Sequence, residues 1–260
     1  GLHTVTAGKL SMPLLEESGA ELMRVFDEKR GKKVITIRAG GSGYVQSIDT
    51  EKLLELAVKV DGVFRLECRP GDYKLPATVL LTAALNKPPS DGFGREVRDL
   101  IVLGKIRTPE HDIEFSLEQL VEVALRALSP GLNDPFTAVT CIDKLSSALE
   151  LFGEAESPPY MYDKSGRVRL IRDQSTFAGV LDAAFNQIRQ TGASHPAVMI
   201  RMLERIADML ISIRRPQQRK ALLEYAQVIN QNVEKADLTA RDRQDIADRY
   251  RAVMSTVSTA

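Results

Sequence analysis

The apolar residues of this chain change their spacing once, and that change limits what it can fold into. Up to about residue 110 they come in short runs cut by Gly and Pro; from Ser116 onward they recur every three to four positions. The first spacing belongs to strands joined by turns, the second to amphipathic helices. A chain with both, in that order, reads as α+β: a small β-rich, barrel-like N-terminal unit packed on a C-terminal bundle of about five helices. The division is a helical lead-in over 1–32, a β-rich unit over 33–110, and a helical unit over 111–260 with a β-hairpin excursion near 158–172.

Local signals fill in this outline. Leu14, Leu15, Leu22, Met23 and Phe26 give a helix over 11–30, stopped by Gly31. Strands are expected over 34–37 and 44–48, with Gly40-Gly41-Ser42-Gly43 as the turn between them. A helix from Asp49 or Thr50 to Lys59 follows, then strands over 63–68, 78–83 and 97–103. Beyond them, Ser116-x-x-Gln119 has the form of a capping box, and Asp134-Pro135 starts a second long helix. Tyr160 to Ile171 reads as a hairpin turning at Asp163–Gly166, before helices over 176–190, 194–213, 216–234 and 239–254.

Composition excludes several functions. Lys+Arg and Asp+Glu both number 35, so there is no bulk positive field for nucleic acid. Aromatics are 5% and Trp is absent, which leaves no stacking platform for bases. Cys68 and Cys141 stand far apart and read as reduced, buried thiols in a reducing compartment. The longest apolar run, Val79 to Leu85, is far short of the roughly 20 residues a bilayer requires. The glycine turn lacks the helix and the Lys-Ser/Thr pair of a phosphate loop. His111, Asp112 and Glu114 have metal-ligand chemistry, but on an extended segment they diverge, so neither a metal nor a cofactor is expected. Arg214 to Lys220 is a basic run at a helix junction: a solvated corner, or a contact for anionic lipid or an acidic partner.

The most unusual segment is Ala127-Leu128-Ser129-Pro130-Gly131-Leu132-Asn133-Asp134-Pro135-Phe136-Thr137-Ala138. It sets the carbonyl end of one helix against the N–H end of the next. Such a corner can take an anion or small ligand, with Ser129, Asn133 and Asp134 at the turn and Arg126 one helical turn before it. Arg107 and Asp112 would close the site if the chain folds back, and Asp143 lies two turns into the second helix. The alternative is a joint, in which Ser129, Asn133 and Asp134 only satisfy backbone groups and Arg126, Asp134 and Asp143 form a buried ion-pair network.

That run, together with Arg107-Thr108-Pro109-Glu110-His111-Asp112-Ile113-Glu114-Phe115 and Cys141-Ile142-Asp143, resembles a bacterial family of predicted integral membrane proteins, domain of unknown function 2254. Ser42 to Asp49, Arg69-Pro70-Gly71-Asp72 and Phe185 to Gln190 look like further pieces of its pattern. The resemblance implies a soluble C-terminal part on the cytoplasmic face of the bacterial inner membrane, preceded by transmembrane helices. Its partners would be that upstream transmembrane segment, the membrane and further copies of itself, with no nucleic acid. The function implied is a regulatory or assembly domain, as of a channel or transporter. The alternative is a membrane-associated hydrolase drawing acid/base groups from His111, Asp112, Glu114, Asp134 and Asp143. The β part also looks like a barrel-sandwich hybrid, without a carrier Lys at a hairpin tip.

Overall fold

The computed structural model describes residues 33–109, 112–155 and 159–256, so the helix expected over 11–30 lies outside the described residues. The chain forms two compact units: Gly1–Arg107 with Pro158–Gln174, and Thr108–Ser157 with Ser175–Ala260.

The first unit holds strands β1 (Lys33–Arg38), β2 (Gly43–Ile48), β3 (Gly62–Leu66), β4 (Tyr73–Lys74), β5 (Val79–Leu85) and β6 (Ile101–Gly104), with helices α1 (Thr50–Lys59) and α2 (Phe93–Asp99). The structure departs from a barrel here. The strands form two open sheets, β1-β5-β3-β8-β7 and β4-β2-β6. β1 pairs antiparallel with β5, and β2 with β6, so the glycine turn passes the chain from one sheet to the other. Gly40 takes φ +71 there, and a Cβ on Gly43 would fall 2.8 Å from the Gly104 carbonyl oxygen, so β2 and β6 approach closely. A second departure is α2, in a stretch read as loop and strand. Phe93 and Val97, one turn apart, are both buried, and Gly92 at φ +89 starts the helix. The core gathers Leu53, Leu56 and Ala57 of α1 against Phe64, Leu66, Leu81 and Ala83 of the larger sheet.

The hairpin grouped above with the helical unit belongs to this sheet instead. Its strands are β7 (Tyr160–Tyr162) and β8 (Val168–Ile171), and β8 lies parallel to β3, Phe64 opposite Leu170. Burial of Leu170, entirely inaccessible to solvent, gives the apolar reason. Arg169 gives the polar one. Its side chain, 5% exposed, donates Nε to Asp163 Oδ2 at 2.8 Å and Nη1 to Gly62 O at 3.1 Å, and pairs with Asp61 Oδ1 at 2.9 Å. Asp163 also accepts from Ser165 Oγ, Ser165 N and Arg167 N, closing the turn. Asp61, at φ +48, accepts from Asn86 Nδ2 as well.

The second unit has six helices among the described residues, where the sequence suggested about five: α3 (Ile113–Ala127), α4 (Pro135–Ala155), α5 (Phe177–Thr191), α6 (Pro196–Ser212), α7 (Pro216–Lys235) and α8 (Ala240–Ser255). One continuous core runs through Leu117, Val121, Ile142, Leu149, Phe185, Met202, Ile206, Leu222, Ile229 and Ile246. α3 starts one turn before the expected box, because Asp112 Oδ1 accepts from Phe115 N at 3.0 Å. His195, not Ser194, is the N-cap of α6. Thr239 caps α8 as its sequence suggests, accepting from Asp242 N at 3.2 Å.

Replacing Arg169 strands two carboxylates. Arg169→Ala is expected to lower the urea midpoint clearly more than the exposed Arg126→Ala. The pH dependence carries the same signature. Hydrogen bonds from Ser165 first, then Arg169, hold the Asp163 carboxyl below the ordinary carboxylate range, and Arg169 first, then Asn86, does so for Asp61. A lowered folded-state pKa stabilises above the unfolded value, near about 4, and that stability is lost as pH falls through the folded value. Acid unfolding curves below about pH 4 should therefore be steeper for the parent chain than for Arg169→Ala.

Candidate functional site

The helix corner is the one place where sequence gathered its candidates, and its geometry is resolved bond by bond. At the carbonyl end of α3, Leu128 N donates to Ala124 O, and Ser129 N and Oγ both donate to Arg126 O, the hydroxyl at 2.7 Å. Ser129 O accepts from Leu132 N and Asn133 N, at 3.1 and 2.8 Å. Asp134 N returns to Ala127 O at 2.8 Å, joining the two helices directly. Asn133 sits at φ +46, a left-handed conformation that asparagine tolerates better than most residues.

The N–H end of α4 is occupied by its own cap. Asp134 Oδ1 accepts from Phe136 N at 3.1 Å and Thr137 N at 3.2 Å, and Thr137 Oγ1 donates to Asp134 Oδ2 at 2.5 Å. The Thr137 hydroxyl, then its backbone N–H, holds the Asp134 carboxyl below its ordinary range. The positive end of α4 is thus matched by a bound carboxylate from its own chain. The connection before α6 bolts on as well: His195 Nε2 and Asn133 Oδ1 are 3.1 Å apart.

The remaining candidates are placed elsewhere. Arg126 is largely exposed and pairs with Glu122 at 2.6 Å on its own helix. Asp143 faces α6, with Oδ1 at 3.7 Å from both Arg201 Nε and Arg205 Nε. The buried network of Arg126, Asp134 and Asp143 is therefore not formed. Asp112 caps α3, and Asp134 caps α4 at the far end of α3, about 20 Å away along the axis. Glu114 accepts from Ser175 Oγ at 2.7 Å. Arg107 belongs to the first unit and Asp112 to the second, and His111 lies outside the described residues. Among the described carboxylates no three converge, which removes the geometric basis of the hydrolase alternative. Nor, among the described residues, does any group of three His, Cys, Asp or Glu stand ready for a metal. Both cysteines are free and buried, and burial pushes the Cys68 thiol up to about 12, far from a nucleophile at neutral pH.

Thr137 and His195 are the corner residues that sequence reasoning missed. Thr137, three positions after the cap, carried a local signal; His195, 62 positions from Asn133, carried none. What the corner shows to solvent is apolar: Leu132 is 67% exposed and Phe136 81%.

A family model described as a predicted membrane protein, domain of unknown function 2254, matches residues 11–208. The chain belongs to this family. An uncharacterised protein of Mycobacterium bovis is 31% identical over 194 residues, covering 72% of this chain and 37% of the relative. An uncharacterised protein of Mycobacterium tuberculosis matches with the same identity and coverage. The chain thus spans 37% of the length of these relatives of the DUF2254 family. No solved structure matches it.

Capping and exposure predict different outcomes at this DUF2254 corner. Asp134→Ala leaves Phe136 N and Thr137 N without their acceptor and should lower the melting temperature, read by circular dichroism. Arg126→Ala should leave it unchanged, since an exposed pair within one helix contributes little.

Proposed function

We propose that this chain is the extramembrane regulatory or assembly domain of a multi-spanning bacterial membrane protein, held on the cytoplasmic face of the inner membrane. The observation that carries the reading is a pairing of two facts. The family is one of predicted membrane proteins, and no helix among the described residues is long and apolar enough to cross a membrane. A channel or transporter is the class of protein such a domain would serve. The spread of the described carboxylates supports a non-enzymatic role.

The assembly part of the proposal is drawn from the corner. Its polar groups are spent on one another, so the turn is rigid, and Leu132 and Phe136 stand out from it. Rigid apolar side chains presented to solvent are the raw material of an interface, and a second copy of the chain is the partner proposed. Membrane pores are built as symmetric rings or pairs, which gives each copy an identical corner to offer.

Light scattering on the purified chain tests this. The parent chain should associate with rising concentration, and Leu132→Ser/Phe136→Ser should remain monomeric with an unchanged melting temperature. A parent chain that is monomeric at every concentration, or a variant that assembles as well as the parent, overturns the assembly role.

A further inference from the structure

We propose that the corner between α6 and α7 is a docking surface for an anionic bilayer. The proposal rests on the reading that the chain works beside a membrane. Arg214-Arg215-Pro216-Gln217-Gln218-Arg219-Lys220 places four cations in seven residues, with Arg214, Arg215 and Lys220 exposed. The corner that carries them is fixed from within. Gln218, buried, donates Nε2 to Gly153 O of α4 at 3.0 Å. Arg219 donates Nη1 to Leu210 O and, at 3.2 Å, to Ile213 O, closing the carbonyl end of α6. Glu224 is the acid of this stretch, and its pair with Lys220, 3.7 Å apart and largely exposed on both sides, neutralises little of the run.

Beside the cations lies apolar surface of the kind a bilayer interface accepts. A groove of about 410 Å³ opens between α7 and the end of α8, lined by Pro216, Leu223 and Met254 with the stems of Arg219 and Lys220. Ile211, on the last turn of α6, is 62% exposed, and Met254 is 41% exposed. Cations whose heads reach phosphate while aliphatic groups enter the headgroup layer are how a folded domain rests on a membrane. The formal charge of the whole chain is zero, so this attraction belongs to the corner and not to a general positive field. Membership in a membrane-protein family brings an anionic surface within reach of such a corner.

Vesicle flotation of the purified chain is the test, using phosphatidylcholine vesicles with and without phosphatidylglycerol. The chain should float only with the anionic vesicles, and less as salt is added. Each cation near an anionic surface contributes about five-fold in affinity, so Arg214→Glu/Arg215→Glu should bind at least about 25-fold more weakly. Lys87→Glu/Lys105→Glu makes the same change in net charge at exposed positions of the other unit and should bind like the parent. Ile211→Ser/Met254→Ser should weaken binding to the anionic vesicles. Circular dichroism melting checks that each variant is folded, and Arg214→Glu alone, with an expected loss of about five-fold, serves if the double variant is not. Absence of flotation, equal losses in the two charge-reversed pairs, or binding indifferent to Arg214 and Arg215 overturns the proposal. Self-association is read separately on the Leu132/Phe136 variant, so failure here is distinct from failure of the assembly role.

Discussion

The buried guanidinium of Arg169 is the interaction on which the course of this chain depends. It sits between Asp163 of its own hairpin and Asp61 with Gly62 O at the start of β3, and so fixes a parallel contact between strands more than a hundred residues apart. Parallel neighbours need a crossover, and here the crossover contains α3 and α4. The two units are consequently interleaved in sequence: the chain leaves the sheet, builds two helices, returns for one hairpin, and leaves again. A buried charge of this kind is costly unless fully partnered, which is why three acceptors surround it.

A different economy governs the helix corner. Every polar side chain that made it look like a binding site is engaged in making it a joint. Ser129 and Asp134 serve the two helix ends, and Asn133 serves the left-handed turn and reaches His195. The consequence is that the turn presents Leu132 and Phe136, not polar groups, to its surroundings. An interface needs this combination of rigidity and apolar exposure, because ordering a mobile loop would consume much of the gain from association.

Several elements were legible in the residues alone. The α1 cap at Asp49, the Asp134-Pro135 start of α4, the Asp163–Gly166 turn and the α8 cap at Thr239 all rest on interactions within four residues, and each is formed. α2 was misread because Phe93 and Val97 lie in a Gly- and Pro-rich stretch whose local preferences favour turns; burial of both side chains decided for a helix. Among the site candidates, Asp112 and Asp134 were found for their chemistry, but their separation by the length of α3 was not a property of sequence spacing.

Sequence by itself determined the α+β class, the order of strands before helices, the family and the caps, because periodicity and capping are local and act over one or two turns of chain. Tertiary structure alone decided that the strands form two open sheets, that the 160–171 hairpin joins β3, that Asp143 faces Arg201 and Arg205, and that His195 meets Asn133. Each of these is a contact between distant positions, fixed by which buried surface and which partner for a charge or hydrogen bond the folded chain makes available. No spacing rule along one sequence encodes that choice.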